Sequence, residues 1–157
     1  MKRALAFGLV IVQILLLAAL VLMQHSDLWP VTSYVIATSV VLLVAGVLLM
    51  CAGAGRLGPA FTATPIPRQN AAIVTTGIYA YVRSPIYLGY LMVGLGLTLV
   101  SASFLHIMVW LALLWLLAGK ARWEERMLIS AHPEYLAYGA HVGRFVPGIG
   151  RLRLARE

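Results

Sequence analysis

Between Gly77 and Gly89 the chain reads Gly-Ile-Tyr-Ala-Tyr-Val-Arg-Ser-Pro-Ile-Tyr-Leu-Gly, and Glu124 and Glu125 stand side by side after the next apolar stretch. Glycine, tyrosine, arginine and proline thus gather at the mouth of an apolar segment, with an acidic pair beyond it. A carboxylate accepts charge-assisted hydrogen bonds in pairs, and the face of a tyrosine ring attracts cations. Taken singly, each residue also fits a plainer role. Arg83 suits a membrane interface, Tyr79, Tyr81 and Tyr87 suit an aromatic belt, and the glutamates suit a solvated helix face. Lipid-facing helices need none of them, and their joint occurrence in this order predicts a binding site.

The elements that must position these residues are helices in a bilayer. With 62% hydrophobic and 11% charged residues, the chain is far too apolar for an ordinary soluble domain. A hydrocarbon core of about 30 Å takes roughly 20 apolar residues per helical span. Ala4 to Met23 supplies one such run, broken only by Gln13, and Thr32 to Cys51 supplies a second. Ile86 to Gly119 has no charge beyond whatever His106 carries. One helix of that length would reach about 51 Å, too long for an untilted span, and Ser101-Ala102-Ser103 lies near its middle. Two short helices joined by a tight turn are expected there. Gly89, Gly94 and Gly96 favour close helix packing.

The fold class expected is therefore all-α: a polytopic membrane protein with about four transmembrane helices and a cytosolic amphipathic C-terminal helix. That last helix is placed at Ala121 to Gly139, interrupted near Pro133. We expect a single membrane domain, residues 1–157. It comprises an N-terminal helical hairpin (1–52), a cytosolic connection rich in glycine and proline (53–76) and a motif-bearing half (77–157). A signal peptide is disfavoured, because the first run is long and no small-x-small cleavage site follows Met23.

Charge fixes the expected orientation. Lys2 and Arg3 precede span one, and Arg56, Arg68 and Arg83 lie between spans two and three. Lys120, Arg122, Arg126, Arg144, Arg151, Arg153 and Arg156 follow span four. The loop from Gln24 to Val31 has Asp27 and no Lys or Arg. Every cationic segment then falls on one side, so both termini are expected in the cytoplasm of a multi-pass membrane protein. The net charge of +7 needs no nucleic acid to explain it. The basic tail suits an anionic headgroup surface. His25, His132 and His141 lack metal-ligand spacing, so no metal is expected, and the lone Cys51 permits no internal disulfide. His106 reads as a packing group in the bundle.

From Val74 to Pro147 the order and spacing resemble the isoprenylcysteine carboxyl methyltransferase and phospholipid methyltransferase superfamily. These are integral membrane enzymes that use S-adenosyl-L-methionine. The first half of the chain is similar only in hydropathy. The resemblance implies that Tyr79, Ser84, Pro85 and Tyr87 lie on cofactor-binding positions, framed by Gly77 and Gly89. It also implies that Val74 contacts the cofactor and that Glu124, with Leu128 four residues on, is its acidic ligand. A carboxylate suits a ribose diol and favours a sulfonium. Arg83, Lys120 and Arg122 are the basic residues implied for the substrate. Ser84 stands where the family has histidine, Lys120 where it has a substrate-contacting arginine, and the Glu125–Tyr135 spacing is one residue shorter.

The activity so implied is methyl transfer to a lipid-like acceptor, with membrane lipids as the surroundings. A carboxylate acceptor requires no base, whereas an amine must lose a proton. The missing histidine therefore favours the carboxylate of a prenylated cysteine or a related small lipid. Membrane sterol and steroid reductases share part of the pattern and bind NADPH. In them asparagine follows the proline and an acid comes soon after, whereas this chain has Ile86 and Leu88-Gly89-Tyr90. A non-enzymatic membrane subunit would need neither the tyrosine-proline-tyrosine element nor Glu124.

Overall fold

The computed structural model describes residues 2–58 and 73–152. Five α-helices follow one another: α1 (Lys2–Leu22), α2 (Ser33–Leu57), α3 (Pro85–Ser101), α4 (Phe104–Ala131) and α5 (Tyr135–His141), with a 3₁₀ turn at Gly77–Ala80 before α3. Among the described residues there is no strand, only a single parallel bridge between Val82 and Gly143. Ala4–Leu22, Ser33–Leu57 and Phe104–Ala131 are long and apolar enough to cross a membrane. α3 is equally apolar but has only 17 residues, a rise of about 25 Å. The result is an all-α, polytopic membrane fold.

Backbone groups at membrane depth must be satisfied inside the protein, and the α1–α2 loop does this for the end of α3. The Ser26 and Leu28 amides donate to the Ser101 and Ala102 carbonyls at 2.9 and 2.8 Å. The Trp29 indole donates to Leu99 O at 3.0 Å. Ala102, left-handed at φ 44°, turns the chain into α4. The split of the long apolar run therefore falls at Ser101–Ser103, as its length requires.

α2 and α3 pack closely along small residues. Ser39, Gly46 and Gly53 are the buried positions of α2; their seven-residue spacing returns to one face every two turns. A Cβ on Gly89 would lie 2.6 Å from Gly46 O, and one on Gly96 would lie 3.0 Å from Ser39 O. Gly94 faces α1 and α4 instead, through Leu20, Trp110 and Leu113. Leu20, Leu91, Leu113 and Leu117 form the buried apolar core among these helices.

α4 runs 28 residues without interruption, so the amphipathic stretch is the continuation of the fourth apolar helix, not a separate one. Nothing between Gly119 and Pro133 breaks it, and Lys, Ala, Arg, Glu, Met and Leu are good helix formers. The helix stops at His132, which takes φ −138°, ψ 88°, because the residue before a proline avoids the α region. α2 likewise carries on to Leu57, further into the glycine-rich connection than its composition suggests. Pro59, Pro65, Pro67 and Arg68 of that connection, and Arg153 and Arg156 of the tail, lie outside the described residues.

Candidate functional site

The segment before α3 is folded by backbone contacts. Gly77 has φ +65°, a left-handed conformation that favours glycine; a Cβ there would also lie 2.6 Å from Arg56 Nε, so the flexible arginine side chain would have to shift. Tyr79 is buried; its hydroxyl donates to Gly53 O at 3.4 Å, and its carbonyl accepts from the Tyr138 hydroxyl at 2.5 Å. Burial raises the Tyr79 and Tyr135 hydroxyls above their ordinary range. Burial, opposed by Arg83, pushes Tyr138 up to about 12. All three therefore stay neutral O–H donors at physiological pH.

Ser84 is the N-cap of α3 and Pro85 its first helical residue; the serine side chain makes no capping bond. Ser84 acts through its backbone, its amide donating to Arg144 O and its carbonyl accepting from Leu88 N, both at 3.0 Å. Pro85 is fully buried and supplies the preset φ of a helix start.

Arg83, 5% exposed, is clasped on every donor. Nε and Nη2 donate to Glu125 Oε1 at 3.0 and 2.8 Å. Nη2 also reaches Gly150 O at 2.9 Å, and Nη1 reaches Gly139 O at 2.8 Å and Val142 O. Arg144 grips the same carboxylate, Nε to Oε1 at 3.0 Å and Nη2 to Oε2 at 2.6 Å. A guanidinium has five N–H donors, and Arg83 has all of them engaged within the protein. Its position therefore ties α3's entry to α4 and to the segment after α5, which also pairs with it through Arg83 N to Gly143 O at 2.9 Å.

Glu124, the neighbour of that carboxylate, faces elsewhere. The Tyr87 hydroxyl donates to its Oε2 at 3.1 Å. Lys120, one turn earlier on α4, lies beneath the tyrosine with Nζ 5.3 Å from the ring centroid, within cation–π range. Lys120 is 1% exposed and donates to Gln13 Oε1 of α1 at 2.5 Å. Tyr87, Glu124 and Lys120 are thus brought together, with Tyr79 and Pro85 in the adjoining segment. Val74 is half-buried on the approach to the 3₁₀ turn, and Arg122 is exposed with no ion pair among the described residues. His106 is fully buried, both ring nitrogens without a hydrogen-bond partner among the described residues, beside His25 at 6.2 Å between ring centroids. Both residues stand at the opposite end of the bundle.

The sequence reading does not place Gln13, Tyr138 or Arg144 in this arrangement, and it includes Glu125 only as one half of the acidic pair, with no arginine partner. A lone amide in an apolar run is the one signal that points to Gln13. The arginine–glutamate clasp has no local signal, since its members are distant in sequence. Among the described residues no three of His, Cys, Asp and Glu gather as metal ligands.

A helical membrane bundle with tyrosine, glutamate and lysine converging beside a kinked entry loop defines a class of intramembrane protein with a polar site at one end of its helices. Residues 33–135 match the phospholipid methyltransferase family, and the chain belongs to it. It is similar to the cobalt-zinc-cadmium resistance protein CzcN of Cupriavidus metallidurans, 36% identical over 88 residues, which are 55% of this chain and 40% of that protein. A solved structure of the eukaryotic intramembrane Ras methyltransferase ICMT, isoprenylcysteine carboxyl methyltransferase, superposes with a TM-score of 0.67 at 20% identity. The match covers 97% of this chain and 53% of that one, which shows a shared fold. The chain spans well under two thirds of either relative's length.

Proposed function

We propose that this chain is an S-adenosyl-L-methionine-dependent methyltransferase acting on a lipid-like acceptor, the carboxylate of a prenylated cysteine or a related small lipid. The observation that carries this reading is the Tyr87–Glu124 pair, 3.1 Å apart, on two positions that the family resemblance assigns to the methyl donor. The residues present fit such a donor. Tyr87 engages one carboxylate oxygen, and Glu124 Oε1 makes no hydrogen bond among the described residues, so it stands ready to accept from a ribose hydroxyl. The carboxylate and the tyrosine faces favour a sulfonium. When bound, the donor supplies an activated methyl group on cationic sulfur.

The chain's own task is to align donor and acceptor and to exclude water. Tyr79 and Pro85, both buried, give the donor side a rigid wall, with Val74 at its approach. Ser84 contributes as the backbone N-cap that fixes Pro85. Arg83 holds the site together rather than contacting the acceptor, so acceptor recognition rests on Lys120 and, at the exposed rim, Arg122. A carboxylate acceptor attacks without a base, in keeping with serine at position 84. The single domain is oriented with its basic segments toward the cytoplasm, so the donor enters from that side and the acceptor from the bilayer.

The test is methyl transfer from labelled S-adenosyl-L-methionine by purified protein in lipid vesicles. An S-farnesyl cysteine acid is expected to be methylated on its carboxylate. Label appearing only in phosphatidylethanolamine would reject the acceptor class and keep the donor.

A further inference from the structure

α1 lies outside residues 33–135 that match the family, yet it supplies a contact to the site. Gln13 is the sole polar side chain along the apolar run of α1 from Ala4 to Leu22, and it is only 7% exposed. Its amide oxygen accepts from Lys120 Nζ at 2.5 Å across 107 positions of sequence. An ammonium carries three donors, and among the described residues Gln13 is its one hydrogen-bond acceptor. Burying a charge against a single neutral amide is unfavourable, and charged groups held inside a membrane bundle mark functional paths. The Tyr87 ring at 5.3 Å stabilises the cation without consuming a donor. The arrangement leaves two of the ammonium's three donors without an acceptor among the described residues.

We propose that Gln13 is a positioning residue: its amide oxygen holds the Lys120 ammonium beneath Tyr87 so that the site selects an acceptor with an anionic head, a carboxylate, over its uncharged ester. This rests on the proposed methyltransferase reading for the reaction but not for the binding event. Without Gln13 the ammonium swings toward Glu124, one turn along α4, and the acceptor's anionic group loses its anchor.

The chain's two lysines, Lys2 and Lys120, make the test direct. The full chain in detergent micelles, labelled with [ε-13C]lysine, gives two side-chain signals, and Lys120→Arg assigns them. Without donor present, N-acetyl-S-farnesylcysteine is expected to move the Lys120 signal, and its methyl ester is not. Gln13→Met keeps length and loses the acceptor; about tenfold more acid is expected for the same shift. Gln13→Glu keeps an acceptor but neutralises the ammonium, so the acid response should vanish. This variant decides the matter if Gln13→Met fails to fold. An acid that leaves the wild-type signal in place, or a wild-type response in Gln13→Glu, overturns the inference. Donor binding is measured separately by calorimetry, so a failure of the methyltransferase reading shows as lost donor binding with the lysine response intact.

Discussion

Glu124 and Glu125 are adjacent in sequence and about 100° apart around α4, and that rotation gives them different work. Glu125 is 4% exposed between Arg83 and Arg144, with ion pairs of 2.8 and 2.6 Å. Removing one partner from a buried ion-pair network costs about 3–5 kcal/mol, so Glu125→Gln should unfold at markedly lower temperature in detergent. Glu124→Gln should instead melt close to wild type and lose about 1.5–3 kcal/mol of donor affinity. If thermal scans and donor titrations rank the two variants the other way, the roles assigned here are reversed. Ser84→Ala should leave donor affinity within about 0.5 kcal/mol of wild type, because its side chain caps nothing; a loss of binding would make the hydroxyl itself a ligand. Tyr87 and Glu124 are legible in the sequence because lipid-facing helices have no use for such groups. The clasp is not legible, since Arg83 meets acceptors 42 to 67 residues away that only the folded chain assembles.

At the scale of elements, the site depends on α2 and α3 lying close enough for α3's entry to meet α4. Gly89 sets that distance: a Cβ there meets the backbone oxygen of Gly46 at 2.6 Å, and a backbone group cannot step aside. Gly89→Ala should destabilise the bundle by about 1–3 kcal/mol. Gly8→Ala, whose Cβ meets nothing within 4 Å, should be neutral or gain up to about 1 kcal/mol from helix propensity. Thermal unfolding of both variants in one detergent makes the comparison, and equal melting would mean that α2 and α3 are not tightly seated. Helix existence, the turn at Ser101–Ser103 and the break at Pro133 are legible because run length and proline chemistry are local. The continuity of α4 through Lys120 is less so. Its composition turns polar just after Gly119, and a glycine followed by a polar turn reads as a boundary although the helix runs on through both.

Across the whole molecule, charge should decide orientation. In a chain with Cys51 replaced by serine, a cysteine introduced beside Asp27 should be labelled from outside the cell, and one beside Arg151 should be protected. Labelling at Arg151 from outside would invert the topology and move the Tyr87–Glu124 site to the wrong face for a cytosolic donor. The central claim, that this site holds a methyl donor, is tested most directly by calorimetric titration of the purified wild-type chain with S-adenosyl-L-methionine, S-adenosylhomocysteine and NADPH. Saturable binding of the first two, weakened in Glu124→Gln and absent for NADPH, is the result predicted; saturable binding of NADPH with no heat from either sulfur compound would contradict it.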